Sequence, residues 1–248
     1  MELKIENINK TYINKEKVNH VLKDISIEIN KGEFVTLLGP SGCGKTTLLS
    51  IIAGFNKPDS GKIFVEGKEV SKPGISRGFV FQNYALFPWL TIRKNIEFPL
   101  KEARLSKDAI RTRADELLNL AGLKSHENQY PHEISGGMKQ RTALIRALAN
   151  KPKVLLMDEP LGALDMRMRQ NLQSEIQSIW MKEKTTVIMV THDVDEAVYM
   201  SDRIILMTTN NGKIEMDIRV NLARPRNRDG QEYMKIVRLL TDKLNEDL

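Results

Sequence analysis

The chain has 248 residues, 41% hydrophobic and 28% charged, with a net charge of +6 and an isoelectric point near 9.3, the composition of an ordinary globular domain. No apolar run approaches the roughly 20 residues of a membrane helix, MELKIENINK lacks the apolar stretch of a secretory signal, and a single cysteine, Cys43, fits a reducing cytosol, so a cytosolic protein is expected. Only Arg219, Arg224, Arg226 and Arg228 cluster, and without a basic stripe interleaved with aromatics no nucleic-acid partner is expected.

Leu3 to Ile8 and Val21 to Ile29 alternate apolar and polar residues and read as strands. Asn30-Lys31-Gly32 reads as a turn, and Phe34 to Leu38 as a continuous apolar, buried strand. A glycine-rich loop follows at once, and Thr46 to Ala53 reads as a helix ended by Gly54. Asp59-Ser60-Gly61 is expected to turn, with short strands at Ile63 to Val65 and Gly78 to Phe81. Helices are expected from Ser106 to Ala121, where Ala109, Ile110, Ala114, Leu117, Leu118 and Ala121 share a face, from Gly136 to Ala149 and from Met166 to Lys182. Val154 to Met157, Thr186 to Val190 and Arg203 to Met207 read as strands, with a helix at Val194 to Met200. Asn210-Asn211-Gly212 suggests a hairpin turn, and Gln231 to Leu244 an amphipathic helix. Strands alternating with helices predict an open, mostly parallel sheet covered on its faces.

Gly39-Pro40-Ser41-Gly42-Cys43-Gly44-Lys45-Thr46 fits G-x-x-x-x-G-K-[ST] between a buried strand and a helix, the context this phosphate-cradling motif needs. Glycines let backbone N–H groups approach phosphate oxygens, and the helix N-terminus adds its dipole. Lys45 is expected to reach the outer phosphates and the Thr46 hydroxyl to meet Mg²⁺. Asp158 and Glu159 end the strand Val154 to Met157; Asp158 can hold Mg²⁺, and Glu159 can orient or deprotonate a water. Alone, that acidic pair reads equally as a solvated strand end. With the loop upstream the two imply a nucleoside triphosphatase.

Ile134-Ser135-Gly136-Gly137-Met138-Lys139-Gln140-Arg141 decides its kind. Here the chain resembles the ATP-binding cassette (ABC) ATPases, whose L-S-G-G-Q signature precedes an Asp-Glu pair as Ser135 to Met138 precede Asp158-Glu159. Ile134 and Met138 depart from the usual Leu and Gln, while the serine and both glycines remain. The resemblance runs through nearly the whole chain. It implies a P-loop NTPase α/β fold with a mostly parallel core and an N-terminal antiparallel β subdomain (about 1–85 and 150–210), a helical signature subdomain (about 86–149) and a short tail (about 211–248). It implies that Tyr12 stacks on adenine, that Gly39 to Thr47 bind ATP, and that Gln82 joins Thr46 and Asp158 at Mg²⁺. It gives Asp165, in Leu161-Gly162-Ala163-Leu164-Asp165, to the dimer interface and His192 to the terminal phosphate. Alone, Tyr12 reads equally as a strand-edge tyrosine and His192 as a structural histidine.

In the family one subunit's signature closes over the phosphates held by the other. One loop and one signature per chain therefore imply a dimer, with itself or with a paralogue, and the undamaged site favours the homodimer. Transport would need separate membrane permease subunits, docking near Gln82 to Thr91, where Tyr84-Ala85-Leu86-Phe87-Pro88-Trp89-Leu90-Thr91 is apolar. Phe87-Pro88-Trp89-Leu90-Thr91, Pro73-Gly74 and Ala223-Arg224-Pro225-Arg226 look like the nitrate/sulfonate/taurine importer branch. That branch works with a solute-binding protein and places its ATPase on the cytoplasmic face of the membrane. An exporter subunit or a non-transport membrane complex is the alternative.

Overall fold

The alternation at the N-terminus becomes a long antiparallel strand pair in the computed structural model, which describes residues 1–14, 17–162, 166–209 and 212–246. In chain order come β1 (Leu3–Asn14), β2 (Lys17–Ile29), β3 (Phe34–Leu38), α1 (Lys45–Ala53), β4 (Ser60–Val65), β5 (Lys68–Glu69) and β6 (Arg77–Val80). The helices α2 (Ile92–Glu102), α3 (Lys107–Leu120) and α4 (Gly136–Leu148) follow. Then come β7 (Val154–Asp158), α5 (Met166–Glu183), β8 (Thr186–Thr191), α6 (Val194–Met200), β9 (Arg203–Met207), β10 (Ile214–Arg219) and α7 (Gln231–Glu246). These elements form two compact units, residues 1–74 with 186–248, and residues 75–185.

The first unit holds an antiparallel sheet in the order β2-β1-β4-β5. Leu3 and Ile5 of β1 and Ile25, Ile27 and Ile29 of β2 are buried, as the alternation requires, and a register shift between Ile5 and Ile8 lets Ile8 be buried as well. The same unit carries β3 between β8 and β9, parallel to both, with β10 antiparallel on β9. Every residue of β3 and β8 is buried, which is why these strands are predominantly apolar, with Thr36, Thr186 and Thr191 as their polar members. α1 is only nine residues long, too short to persist alone in water. Burial of Leu48, Leu49, Ile51 and Ile52, worth about 1.5–3 kcal/mol each, holds it.

The second unit pairs β6 and β7 in parallel and carries α2 to α5. Thr91 caps α2 by accepting from the Lys94 N–H, and Ser106 caps α3 by accepting from that of Ala109. Three differences from the expected elements stand out. α2 and β10 fill stretches to which no element was assigned, and Ser60 and Gly61 begin β4 instead of completing a turn. Gly61 has φ 89°, and a Cβ there would lie 2.4 Å from the Glu6 and Asn7 carbonyl oxygens, so this glycine marks a close approach of backbones. Of the expected turn at 210–212, Asn210 and Asn211 lie outside the described residues.

Candidate nucleotide site

In the first unit, β3 delivers the glycine-rich loop onto a crowded floor. A Cβ at Gly39 would lie 2.3 Å from the Met207 carbonyl oxygen and 2.8 Å from Cys43 Sγ. Gly44, at φ 99°, would set a Cβ 2.6 Å from the Val21 carbonyl oxygen. The loop is thus threaded between the end of β9 and the backbone of β2, and only glycine fits at these two points.

Lys45 is folded back into that loop. Its Nζ donates to the carbonyl oxygens of Gly39 (2.7 Å) and Pro40 (2.8 Å) and stands 3.6 Å from Cys43 Sγ. It is 5% exposed, and among the described residues no carboxylate pairs with it. A buried ammonium held by dipoles alone keeps its charge available to an anion. Gly44, the N-cap of α1, offers no side-chain cap, so the first N–H groups of the helix face the loop as an anion site. Thr46 is exposed and Thr47 half-buried at that same helix start, while Ser41 and Gly42 form the exposed crest. Burial pushes the Cys43 thiol up, against the opposing pull of Lys45.

His192 leaves the sheet at the same edge as the loop, because Leu38 and Thr191 are register partners on adjacent parallel strands. The Thr191 hydroxyl donates to Glu196 (2.5 Å), and Asp193 caps α6 by accepting from the Glu196 N–H (3.0 Å). His192 is therefore an exposed residue between a strand end and a capped helix. Tyr12 is 43% exposed on β1, with Lys10 Nζ 5.4 Å from its ring centroid. Its cross-strand partner is Asn19 of β2, the strand whose Val21 meets the loop.

In the second unit, Val80 and Met157 are register partners, so Gln82 and the Asp158-Glu159 pair leave neighbouring strands at one end. Gln82 Nε2 stands 3.4 Å from Glu159 Oε2, which leaves the Gln82 amide oxygen as a donor for a cation. Glu159 takes φ 42°, an uncommon conformation for a residue with a side chain and one that concentrates at functional sites. Asp158 is half-buried at the end of an otherwise buried strand. A hydroxyl, a carboxylate and an amide oxygen are the hard donors that Mg²⁺ takes. Among the described residues no group of three His, Cys, Asp or Glu forms a metal cage.

Ser135 is the N-cap of α4, its hydroxyl accepting from the Met138 N–H at 3.4 Å. Ile134, in the usual leucine position, is 7% exposed and fills a buried slot. A Cβ at Gly137 would meet nothing within 4 Å. Asp165 lies outside the described residues.

The segment after Gln82 is held by two residues that no local motif marks. Arg146 of α4 donates to the carbonyl oxygens of Ala85 (2.8 Å) and Tyr84 (3.1 Å). Asn95 of α2 is fully buried; it accepts from the Phe87 N–H at 2.9 Å and donates toward the Phe87, Leu90 and Thr91 carbonyls at 3.0–3.2 Å. Trp89 is left 69% exposed, 5.5 Å from the Phe87 ring, which also meets Phe98 at 4.7 Å.

A family model described as ABC transporter matches residues 22–162. The chain is 45% identical over 227 residues to the aliphatic sulfonates import ATP-binding protein SsuB of Bacillus subtilis, spanning 92% of this chain and 88% of that one. It is 46% identical over 253 residues to an uncharacterized ABC transporter ATP-binding protein of Methanocaldococcus jannaschii, spanning 100% and 94%. Among solved structures, a dimeric ATP-binding cassette in a post-hydrolysis state with ADP and Pi superposes with a TM-score of 0.76 at 34% identity, over 88% of this chain and 99% of that one. A Clostridium perfringens cassette that is part of an ABC transporter complex gives 0.80 at 27% identity, over 98% and 96%.

Proposed function

The chain belongs to the ABC transporter family, and from that premise we propose how its residues divide the work. It is the ATP-binding and ATP-hydrolysing subunit of a transporter, dimeric and partnered by separate permease subunits, and it couples hydrolysis to import. Its solutes are small anionic nutrients of the nitrate, sulfonate and taurine class, delivered by a solute-binding protein. No helix among the described residues is long and apolar enough to cross a membrane; the chain works peripherally, on the permease at the cytoplasmic face.

The observation that carries the ATP site is Lys45, buried on carbonyl oxygens beside the uncapped start of α1. Gly39, Pro40, Ser41, Gly42, Cys43, Gly44, Lys45, Thr46 and Thr47 hold the phosphates, and Tyr12 stacks on adenine. Thr46, Gln82 and Asp158 offer oxygens to Mg²⁺, which neutralises charge on the phosphates when bound. Glu159 orients and deprotonates water, and His192 contacts the terminal phosphate. Ser135, Gly136, Gly137 and Met138 contact the partner's ATP, and Asp165 lines the dimer interface. The open space over Gly137 supports that reading, since packing within the chain does not require a glycine there. Exposed Trp89, with Phe81 and Phe98 each 40% exposed, supports permease docking near Gln82 to Thr91.

Coupling follows from differential binding, nucleotide favouring the closed dimer. The test is co-expression with permease subunits and an ATPase assay with aliphatic sulfonates, taurine or nitrate and their binding proteins. Stimulation by one binding protein with its solute is the expected result. ATPase activity with no permease bound in any combination would overturn the transport reading.

A further inference from the structure

Tyr84 and Ala85 are consecutive left-handed residues, at φ 61° and 46°. Two such residues that are not glycine persist only where their surroundings over-determine them. Their carbonyl oxygens are the two that the Arg146 guanidinium grips, at 3.1 and 2.8 Å. Arg146 also lies over the Phe87 ring, 5.3 Å from its centroid, and 3.5 Å from Asn95 Oδ1. Among the described residues it forms no ion pair, so its planar fork serves this backbone. Asn95 fixes the rest of the segment through Phe87, Leu90 and Thr91.

The two ends of this arrangement both carry roles proposed above. Gln82 stands two residues before the gripped carbonyls and 3.4 Å from Glu159. Arg146 stands on α4, a 13-residue helix whose N-cap is Ser135. A helix of that length moves as a rod, so a shift of its signature end reaches the backbone beside Gln82 through one side chain. We propose that Arg146 is a positioning residue that sets Gln82 against Glu159 and thereby ties engagement of the signature to hydrolysis, an inference that rests on the role of Gln82 proposed above.

Lysine keeps the charge but not the fork, so Arg146→Lys holds one carbonyl in place of two. Steady-state kinetics of the full-length chain with Mg²⁺ and ATP test the idea on Arg146→Lys, Gln82→Ala and the double variant, each checked for parental circular dichroism. The expected result for Arg146→Lys is a kcat lower by about 10-fold, the scale of a lost charge-assisted hydrogen bond, with KM for ATP unchanged. The double variant matches Gln82→Ala, because the arginine acts through the glutamine. Ala85→Gly added to Arg146→Lys restores kcat, since glycine takes positive φ without a clamp. If Arg146→Lys does not fold, Arg146→Gln, whose amide still reaches one carbonyl, takes its place. Additive losses, or an Arg146→Lys chain at the parental rate, overturn the proposal alone. A Gln82→Ala chain at the parental rate overturns the role of Gln82 and takes the proposal with it.

Discussion

Gln82 and Glu159, from the ends of two adjacent parallel strands, approach to 3.4 Å, amide nitrogen to carboxylate oxygen. That contact aims a carboxylate standing on a left-handed backbone and sets up the most direct test of the hydrolytic site. Glu159→Gln preserves the shape and the partner but removes the carboxylate proposed as the base. Its kcat should fall by about 100-fold or more, the ordinary contribution of general base catalysis, while ATP binding persists. Gel filtration with ATP should then show a stable dimer, because the bound state no longer decays by turnover. Hydrolysis at the parental rate would remove Glu159 from the mechanism.

Gly137 allows stability and function to be separated. A Cβ there meets nothing within 4 Å, and the residue lies in the first turn of α4. Replacing an unstrained helical glycine by alanine stabilises by up to about 1 kcal/mol. Gly137→Ala should therefore melt at or slightly above the parental temperature. It should also lose ATP-driven dimerisation if, as proposed, the methyl group occupies a face offered to the partner's phosphates. A variant that dimerises normally would show that this face is not used.

The core strands, the phosphate loop and most helices could be read from the sequence because each carries its own signal. β3 and β8 are predominantly apolar and buried along their whole length, and α1 begins at the lysine of a motif. α2 was hidden by Pro99, which sits inside it. Its buried Ile92, Ile96 and Leu100 keep helical spacing, and that spacing outweighs one missing N–H. β10 does carry a period of two, with Ile214, Met216 and Ile218 less exposed than Glu215, Asp217 and Arg219. Arg146 and Asn95 could not be read, since their partners are backbone carbonyls and a carbonyl leaves no trace in composition. The arginine cluster near the tail misleads for the same reason. Arg224 and Arg226 turn inward to main-chain oxygens, while Arg219 alone of the four is exposed.

Arg226 is consequently a structural residue. It is 5% exposed, donates to the carbonyls of Val198 and Val220, and burial pushes its guanidinium down to about 10. Beside it Arg228 stacks 3.7 Å over the Tyr199 ring, and the Tyr233 hydroxyl donates to Asp195 at 2.6 Å. This stretch straps α7 onto α6. Arg226→Met should strand two carbonyls and cost about 2 kcal/mol, a fall in Tm of about 4–8 °C for a chain of this size. Arg219→Ala should leave Tm within about 1 °C, as ordinary surface changes do. Equal melting of the two variants would refute the assignment.

Asp115 supplies a pH test in the second unit. Lys124 Nζ donates to its carboxylate, as does Arg93, each at 2.5 Å, and together they hold its pKa down to about 2. The same two cations also meet Glu127, so the cluster ties α2, α3 and the 3-10 turn Lys124–His126 together. A carboxylate whose pKa falls on folding stabilises the native state above its unfolded value, about 3.9, and loses that contribution as pH drops through its folded value. Asp115→Asn should thus lower Tm by a constant amount from about pH 5 to pH 8, and the gap should close between about pH 4 and pH 2. Because the groups are largely solvated, added salt should narrow the gap at neutral pH. A gap that persists unchanged at pH 2 would mean that Asp115 acts through packing and not through its charge.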